Sequence, residues 1–428
     1  MQQLSLFDTE KKFAYELGKT NLTPVAVSFR EIIAEIKDTT YLTHAIYYYP
    51  AKFIPHVVRF CINEFTTEND WIMDPFAGSG TVGLEAFLTK RNAVLLDLNY
   101  LLKYIIPIKI YQGTQEHSKV ELTKNIQAIQ KEQGDFIPEY VNISYWYPDE
   151  ILEVLSHYWA GLHKLDENIY KWIIQAALVK ISKEFSFAEH RTPKLFKSKS
   201  KKGFIIKLMQ TEWKEKFDSK LFKNSYLFYD AVTNFQNIIK DYKKKVIYYA
   251  GIDSSKFKFE STREFDALIT SPPYLQAQEY IRTSKLDLFW LGYTEKQIKE
   301  ISKSEIPYRK AERIIRTYTL NKIRKQIDNI KLLNILDSYF DHTIAALENS
   351  MDILKKGGKI CVFIGNPKID GIEVEIWRIF TEYFTDKGFK FEIVFDDKIK
   401  TRQLFGARKN KNPDGMKSEY LLVLSKLV

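Results

Sequence analysis

The sequence predicts an α/β fold in which helices flank a mostly parallel sheet and a large helical insertion interrupts the alternation of strands and helices. Short apolar strands alternate with helical patterns over residues 40–111 and again over 246–428. Between them, 112–245 has few strand signals and carries apolar residues at spacings of three and four, as at Ile151 and Leu155. The alternation is typical of parallel sheets covered by helices, and the spacing is typical of amphipathic helices.

The organisation of the chain follows from the same pattern. We expect an N-terminal segment at 1–39, a core domain built from 40–111 together with 246–428, and an inserted helical region at 112–245. A second insertion, basic and helix-prone, is expected at 294–328. A chain of 428 residues has room for one large elaborated domain or two ordinary ones.

The first elements of the core domain form a βαβ unit. The helical pattern of 53–64 leads into the strand Trp71–Met73, and a glycine-rich turn and a helix connect this strand to the next, at 93–96. Lys355–Gly358 contains two glycines and predicts a turn that ends a helix and starts a strand. Later apolar runs predict strands at 246–250, 267–269, 359–364 and 420–424.

Composition and charge narrow the functional class. Hydrophobic residues at 45% and charged residues at 28% are typical of a globular protein, and the net charge of +10 favours a polyanionic partner. The two cysteines, Cys61 and Cys361, form neither a disulfide framework nor a zinc-binding set, so no metal site is expected. The N-terminus lacks a signal-peptide pattern and no apolar run reaches membrane-spanning length, so we expect a cytoplasmic protein.

The segment Asp74–Thr81, with the sequence DPFAGSGT, lies directly after a strand and directly before a helix. Its glycines allow the backbone to approach a ligand closely, and the start of a helix presents free N–H groups. Asp97 follows at the end of the next strand, where nucleotide-binding α/β folds place an acid that binds ribose hydroxyls. The pattern predicts a nucleoside-type cofactor. The lack of a Gly-Lys-Ser/Thr ending argues against an NTP-binding P-loop.

The loop Ser271-Pro272-Pro273-Tyr274 follows the apolar strand at 266–269. Two prolines fix an extended loop without backbone donors, so the Ser271 hydroxyl and the Pro272 carbonyl remain as acceptors. Acceptors at the end of a strand can surround an amino group of a ligand and favour a nitrogen with an available lone pair.

Both motifs resemble those of the S-adenosylmethionine-dependent amino-group DNA methyltransferases, whose sheet is of the Rossmann-like class I type. Tyr49–Pro55 (YPAKFIP) is similar to the family segment that closes over the methionine end of the cofactor, and Gly251–Asp253 is similar to the segment that contacts adenine. By this resemblance, Asp74 meets the methionine amino group, Asp97 the ribose and Asp253 the adenine amine. It also implies that the loop holds the exocyclic amino group of a base turned out of the helix, that Tyr274 stacks on this base, and that methyl transfer depends on positioning and charge stabilisation. The implied cofactor-binding residues are Tyr49, Pro50, Ala51, Phe53, Asp74, Pro75, Phe76, Gly78, Ser79, Gly80, Thr81, Asp97 and Asp253.

The resemblance favours cytosine N4 as the modified atom. Family members with serine at the position of Ser271 mostly modify cytosine N4, whereas aspartate or asparagine there mostly marks adenine N6. Carbon-5 methylation needs a thiolate that follows a proline in its own family, whereas Cys61 and Cys361 follow apolar residues. The alternatives are adenine N6, an RNA methyltransferase of the tRNA guanine-N2 type, and a non-catalytic DNA-binding relative.

Basic segments predict contacts with the phosphates of double-stranded DNA. The densest run, 189–202, is expected to be a loop that positions DNA without reading it, and the insertion 112–245 is our candidate target-recognition region. The basic residues of 294–328 form a rival platform, and 400–411 form a further basic loop. The predicted DNA-binding residues are Arg191, Lys194, Lys197, Lys199, Lys201, Lys202, Arg282 and Lys285.

Two protein partners are also expected. A DNA methyltransferase of this kind is typically the modification arm of a restriction–modification system, which implies a cognate restriction endonuclease. The segment Gln3–Phe7 (QLSLF) resembles the short peptide by which bacterial proteins dock on the replication sliding clamp.

Overall fold

The computed structural model describes residues 22–49, 52–113, 117–189, 195–259, 264–275, 280–399 and 416–427. Its strands are β1 Val25–Val27, β2 Trp71–Asp74, β3 Asn92–Asp97, β4 Val246–Ala250, β5 Phe265–Thr270, β6 Leu354–Gly365, β7 Lys368–Ile369, β8 Ile372–Glu373, β9 Phe389–Lys398 and β10 Ser418–Lys426. Its helices are α1 Phe29–Ile32, α2 Pro55–Phe65, α3 Thr81–Leu88, α4 Leu102–Lys109, α5 Lys119–Gln130, α6 Asp149–Lys164, α7 Ile169–Glu184, α8 Lys199–Met209, α9 Trp213–Ile239, α10 Tyr280–Trp290, α11 Glu295–Lys303, α12 Tyr318–Arg324, α13 Ile330–Met351 and α14 Ile376–Asp386.

Within the described parts of the chain, eight strands form one sheet in the order β1-β9-β10-β6-β5-β2-β3-β4. Strands β2 to β6 pair in parallel, and β10 runs antiparallel to both β6 and β9. The chain order reverses between β2 and β5, because β3 and β4 lie on one side and β6 on the other. The carboxyl ends of strands at such a switch point border a ligand-binding crevice. The α/β, Rossmann-like fold class is therefore confirmed.

The central parallel strands β2, β3 and β5 are buried on both faces. Successive side chains of β2 enter opposite cores: Ile72 packs with α2 and α3, and Met73 packs with α13 and α14. Leu95 and Leu96 of β3 divide in the same way. Both layers of helices are therefore anchored at the centre of the sheet, and the loops at its carboxyl edge are left to form a site.

The helices between β3 and β4 build a third core that is continuous with α10. Trp159 of α6 stacks on Trp290 of α10 with ring centroids 5.7 Å apart and an interplanar angle of 19°. The Trp290 indole N–H donates to the Tyr147 hydroxyl at 2.8 Å. The helix that follows the predicted catalytic loop is thus packed into the core of the helical insertion.

Several element predictions need correction. Lys355–Gly358 lies inside β6, and α13 ends at Met351, so the predicted helix-ending turn is wrong. The run 189–202 is not all loop, because α8 begins at Lys199 with the Ser198 side chain as its N-cap. The edge strand β1 and the strand β9 had no counterpart among the predicted strands.

Two further expectations concern the two cysteines and membrane-spanning segments. Cys61 and Cys361 are both buried, as expected for core residues. No helix in the described ranges is long and apolar enough to cross a membrane.

Candidate active site

A deep cavity opens at the switch point of the sheet, beyond the carboxyl ends of β2 to β5. It encloses about 1190 Å³ of empty space, including the solvent at its mouth. Tyr49, Gly78, Asp253 and Tyr274 all line it, so each of the four predicted segments reaches the same cavity. A concave site of this kind, at the switch point of an open α/β sheet, is the usual place for a cofactor.

Two glycines shape the turn between β2 and α3. Gly78 and Gly80 have φ angles of +53° and +72°, a left-handed conformation that is strained for other residues. A Cβ atom on Gly78 would lie 3.4 Å from Cε1 of Tyr49. The Gly78 N–H donates to Asp97 Oδ2 at 2.6 Å, which fixes the turn against the end of β3.

Gly80→Ala is expected to destabilise the fold by about 1–3 kcal/mol. A Cβ atom there would lie 2.2 Å from Cδ1 of the buried Ile106, and the left-handed backbone adds strain. Thermal unfolding should therefore show a lower Tm. Gly203→Ala is the control, because Gly203 lies in α8 with no atom within 4 Å of its Cβ position. An unchanged Tm for Gly80→Ala would contradict this account of the turn.

Asp74 joins the two halves of the site. It ends β2, is 2% exposed, and its Oδ1 accepts hydrogen bonds from Thr270 Oγ1 at 2.6 Å and from the Phe76 N–H at 3.0 Å. Burial outweighs these hydrogen bonds and raises the pKa of Asp74 to about 7. Because Thr270 is the last residue of β5, this hydrogen bond ties the glycine turn to the strand that carries Ser271–Tyr274.

Asp97 ends β3 and, unlike Asp74, lines the cavity. Its carboxylate oxygens accept hydrogen bonds from the backbone N–H groups of Gly78 at 2.6 Å and Asn99 at 2.7 Å. Burial raises the pKa of Asp97 to about 6, although both hydrogen bonds oppose this. A carboxylate has about four acceptor positions, so Asp97 can still bind ligand hydroxyls.

A buried network positions the segment that precedes α2. Glu85 of α3 is fully buried, and its carboxylate accepts a hydrogen bond from the Tyr41 hydroxyl and lies 2.7 Å from His44 Nε2. The Arg59 Nε–H of α2 donates to the other carboxylate oxygen at 2.8 Å. These contacts hold both ends of the segment that carries Tyr49 against α3.

Aromatic rings form one wall of the cavity. Tyr49 and Tyr280 both line it and stack with their ring centroids 6.0 Å apart and an interplanar angle of 14°. Phe53 also lines the cavity and stacks on Phe363 of β6 at 5.6 Å. Burial raises the pKa of Tyr49 and of Tyr280, so both hydroxyls remain protonated and neutral.

The second insertion reaches the Asp253 end of the cavity. Arg309 Nη1 lies 2.8 Å from Asp253 Oδ2, and the Ser255 hydroxyl donates to Asp253 Oδ1 at 2.6 Å. Arg309 and Glu305 both line the cavity. The segment 294–328 therefore supplies a cavity wall, and several of its arginines are engaged in ion pairs. These pairs are Arg309 with Asp253, Arg313 with Asp341 and Glu348, and Arg324 with Asp337.

The predicted catalytic loop, Ser271–Tyr274, borders the same cavity as the glycine turn. Pro272 is buried, while Ser271, Pro273 and Tyr274 are half-buried and line the cavity. The Tyr274 hydroxyl donates to Oε1 of Glu419, a buried carboxylate near the start of β10. The loop thus presents a hydroxyl and an aromatic ring to the cavity that Gly78 and Asp97 also line.

The polar groups around the cavity suit S-adenosylmethionine. Ser79 lines the cavity and Thr81 follows it at the start of α3; both hydroxyls are buried and have no hydrogen-bond partner among the described residues. Lys52 lines the cavity, and burial lowers its pKa to about 8. Carboxylates can bind the ammonium and the ribose hydroxyls of this cofactor, and the hydroxyls and the lysine can bind its carboxylate. Among the described residues, no group of three or more His, Cys, Asp or Glu side chains is arranged to hold a metal ion.

Two of the predicted DNA-binding lysines are engaged within the protein. Lys201 is buried and its ammonium donates to the Glu184 carbonyl at 2.7 Å, so its expected phosphate contact is wrong. Lys197 donates to the Tyr145 carbonyl at 2.9 Å and lies 4.4 Å from the centre of the Tyr145 ring. In both cases the long aliphatic stem packs inward, which a basic sequence pattern does not reveal.

The other predicted DNA-binding residues are distributed over two helices. Lys199 and Lys202 of α8 and Arg282 of α10 are exposed. Lys285 is half-buried, with its ammonium 4.9 Å from the centre of the Tyr140 ring. Four predicted site residues lie outside the described ranges: Pro50, Ala51, Arg191 and Lys194. The Gln3–Phe7 segment and the basic run 400–411 lie outside them as well.

Comparison with known families matches the first part of this site. A family model described as DNA methylase, for N6 and N4 methyltransferases, matches residues 18–107. The type II methyltransferase M.BsoBI of Geobacillus stearothermophilus is 22% identical, and the match covers 91% of this chain and 86% of that protein. M.AvaI of Nostoc sp. is 24% identical over 30% of this chain and 31% of its own length.

Solved structures give more distant similarities. TrmN from Thermus thermophilus matches with a TM-score of 0.30 and 9% identity, covering 88% of this chain and 50% of that one. The rRNA methyltransferase aviRa from Streptomyces viridochromogenes matches with a TM-score of 0.30 and 9% identity, covering 88% of this chain and 86% of that one.

The family match, the full-length relative and the occurrence of both motifs in one cavity agree with each other. Together they support an amino-group DNA methyltransferase family for this chain, with a Rossmann-like fold and S-adenosylmethionine as the methyl donor.

Proposed function

We propose that this enzyme methylates cytosine N4 in double-stranded DNA, at a specific site, after turning the target base out of the helix. The observation that carries the proposal is the hydrogen bond from Thr270 Oγ1 to Asp74 Oδ1, at 2.6 Å. It joins the ends of adjacent strands, so the turn for the cofactor and the loop for the base border one space. Direct transfer requires this adjacency, because the donor carbon and the acceptor nitrogen must meet without an intermediate carrier.

Each cofactor-binding residue has a role that its position supports. When bound, S-adenosylmethionine supplies an electrophilic methyl group on a sulfonium centre. Asp74 binds the methionine ammonium, Asp97 accepts hydrogen bonds from the ribose hydroxyls, and Asp253 accepts one from the adenine amine. Phe76 and Tyr49 both line the cavity, and their rings exclude water from the space between them.

The catalytic loop prepares the base. The Ser271 hydroxyl and the Pro272 carbonyl accept hydrogen bonds from the exocyclic amino group, which favours a nitrogen with an available lone pair. Tyr274 stacks on the ring of the turned-out base. Serine at position 271 supports cytosine N4 by resemblance, and adenine N6 is the second candidate for the same chemistry.

Product analysis tests the proposal directly. Duplex DNA of mixed sequence is incubated with the protein and methyl-labelled S-adenosylmethionine, digested to nucleosides and separated by chromatography. Label in N4-methyl-2′-deoxycytidine supports the proposal, whereas label in N6-methyl-2′-deoxyadenosine replaces the first candidate with the second. A parallel incubation replaces the DNA with tRNA; label in the tRNA but not in the DNA, or in neither, would reject the proposal.

DNA docking and partners extend the proposal. Exposed Lys199 and Lys202, with Arg282 and Lys285 on the helix after the catalytic loop, would neutralise phosphates near the site. The described relatives are type II methyltransferases, which supports a role as the modification arm of a restriction–modification system with a cognate endonuclease. Docking on the sliding clamp through Gln3–Phe7 stays a prediction from the sequence.

The affinity for cofactor is expected to depend on pH through Asp74. Burial raises its pKa to about 7, so the carboxyl of the free enzyme becomes neutral as the pH falls below that value. A neutral carboxyl cannot pair with the methionine ammonium, so affinity should fall by up to about tenfold per pH unit below the pKa. Calorimetric titration with S-adenosylhomocysteine measures this. Asp74→Asn should bind weakly with a much flatter pH profile, and an equally steep profile in that variant would contradict Asp74 as the source.

A further inference from the structure

The Tyr274 side chain is anchored by a residue that is remote in sequence and belongs to neither motif. Its hydroxyl donates a hydrogen bond to Oε1 of Glu419. Glu419 lies in β10, where it pairs with Gly365 of β6 and with Asp397 of β9. A side chain of β10, the last described strand along the chain, therefore contacts the loop that carries Tyr274.

The slot that holds the Tyr274 ring is narrow. A Cβ atom on Gly365 would lie 3.4 Å from Cε1 of Tyr274 and 2.4 Å from Sδ of Met416. The ring is thus confined by the β6 backbone on one side, while its hydroxyl is held at the far end by Glu419. Confinement at both ends restricts the ring to one orientation, and the remaining face borders the cavity.

Glu419 is an unusual residue for this place in a sheet. Its side chain is 1% exposed, and burying a carboxylate is costly unless hydrogen bonds compensate it. A hydrogen bond between a phenol and a carboxylate is among the stronger types in proteins. It also shifts electron density toward the ring, whose face attracts positive charge.

We propose that Glu419 is a positioning residue for methyl transfer: it holds Tyr274 in the orientation on which the target base stacks and makes the ring face more electron-rich. This inference rests on the proposed function. As the amino nitrogen gains its bond to the methyl carbon, the carbon–sulfur bond breaks, and the nitrogen carries positive charge until it releases a proton to water. An electron-rich ring stacked on the base stabilises that charge, so the effect of Glu419 falls on turnover.

A double-mutant cycle tests the proposal. Methyl transfer to duplex DNA is measured for the wild type, Tyr274→Phe, Glu419→Gln and the double variant. Each single variant is expected to lose about tenfold in kcat, the size of effect that a charged hydrogen bond contributes, with a smaller change in KM for DNA. The double variant should be no slower than the slower single variant, because both substitutions break the same hydrogen bond. Affinity for S-adenosylhomocysteine should be unchanged in all of them.

Glu392→Gln is the matched control. Glu392 lies in the neighbouring strand β9, near the opposite edge of the sheet, and binds Ser425 Oγ at 2.7 Å and Lys359 Nζ at 3.1 Å. It should keep wild-type kcat. Wild-type kcat in Glu419→Gln, or fully additive losses in the double variant, would overturn the role of Glu419 while leaving the proposed function intact. A wild-type protein that transfers no methyl group to DNA would overturn both.

Discussion

Tyr274→Ala is expected to lower methyl transfer by about a hundredfold or more, because both stacking on the base and the placement of its amino group are lost. The ring lines the cavity beside Ser271, and its hydroxyl is held by Glu419. Removing the ring leaves the glycine turn and Asp97 untouched, so cofactor affinity should stay close to that of the wild type. Single-turnover assays with labelled cofactor and calorimetric titration measure the two effects separately.

Two comparisons give this prediction its specificity. Tyr318→Ala, which removes an 80% exposed tyrosine at the start of α12, should leave turnover unchanged. Tyr274→Phe keeps the ring and should retain more activity than Tyr274→Ala. Wild-type turnover in Tyr274→Ala would remove this residue from the catalytic site, and loss of cofactor affinity in that variant would make its role structural.

Asp97→Ala is expected to weaken cofactor binding by about a hundredfold, since it removes charged hydrogen-bond acceptors from a buried site. One part of the loss in affinity comes from the missing hydrogen bonds between Asp97 and the ribose hydroxyls. Another part comes from the glycine turn, because Asp97 Oδ2 accepts the hydrogen bond of the Gly78 N–H at 2.6 Å. Titration with S-adenosylhomocysteine gives the affinity, and thermal unfolding shows how much of the effect passes through the fold.

Asp97→Asn separates these two contributions. The amide oxygen can still accept the Gly78 hydrogen bond, so this variant should keep the Tm closer to the wild type and lose affinity mainly through the ribose contacts. Asp241→Ala, at an exposed position after α9, is the control for a lost negative charge. Wild-type affinity in Asp97→Ala would show that the ribose binds elsewhere.

The parts of the site that sequence predicts well are local ones. The glycine turn and the Ser271–Tyr274 loop can each be predicted from residue types within one short segment. Glycine widens the range of backbone angles that a turn can use, and proline narrows it. Their adjacency also follows, because two strands of one parallel sheet end at the same edge. Thr270, which makes the link to Asp74, looks in the sequence like an ordinary last residue of a strand.

The parts that sequence misses depend on distant pairings. Glu419 and Arg309 meet Tyr274 and Asp253 across separations of 145 and 56 residues, and nothing in their own neighbourhoods marks them. Lys52 lies inside a recognised segment, yet only the cavity shows that it lines the site. The prediction for Lys201 is wrong for a different reason. A basic run suggests exposed lysines, yet α8 turns this side chain toward the core.

The place of β10 in the sheet sets how late in synthesis the sheet can be completed. β10 inserts between β6 and β9, so both neighbours keep an unpaired edge until residues 418–426 have left the ribosome. Pairings so far apart in sequence form slowly, and open strand edges in a growing chain favour aggregation. The nascent chain can form the glycine turn early, but Tyr274 gains its anchor only with the final strand.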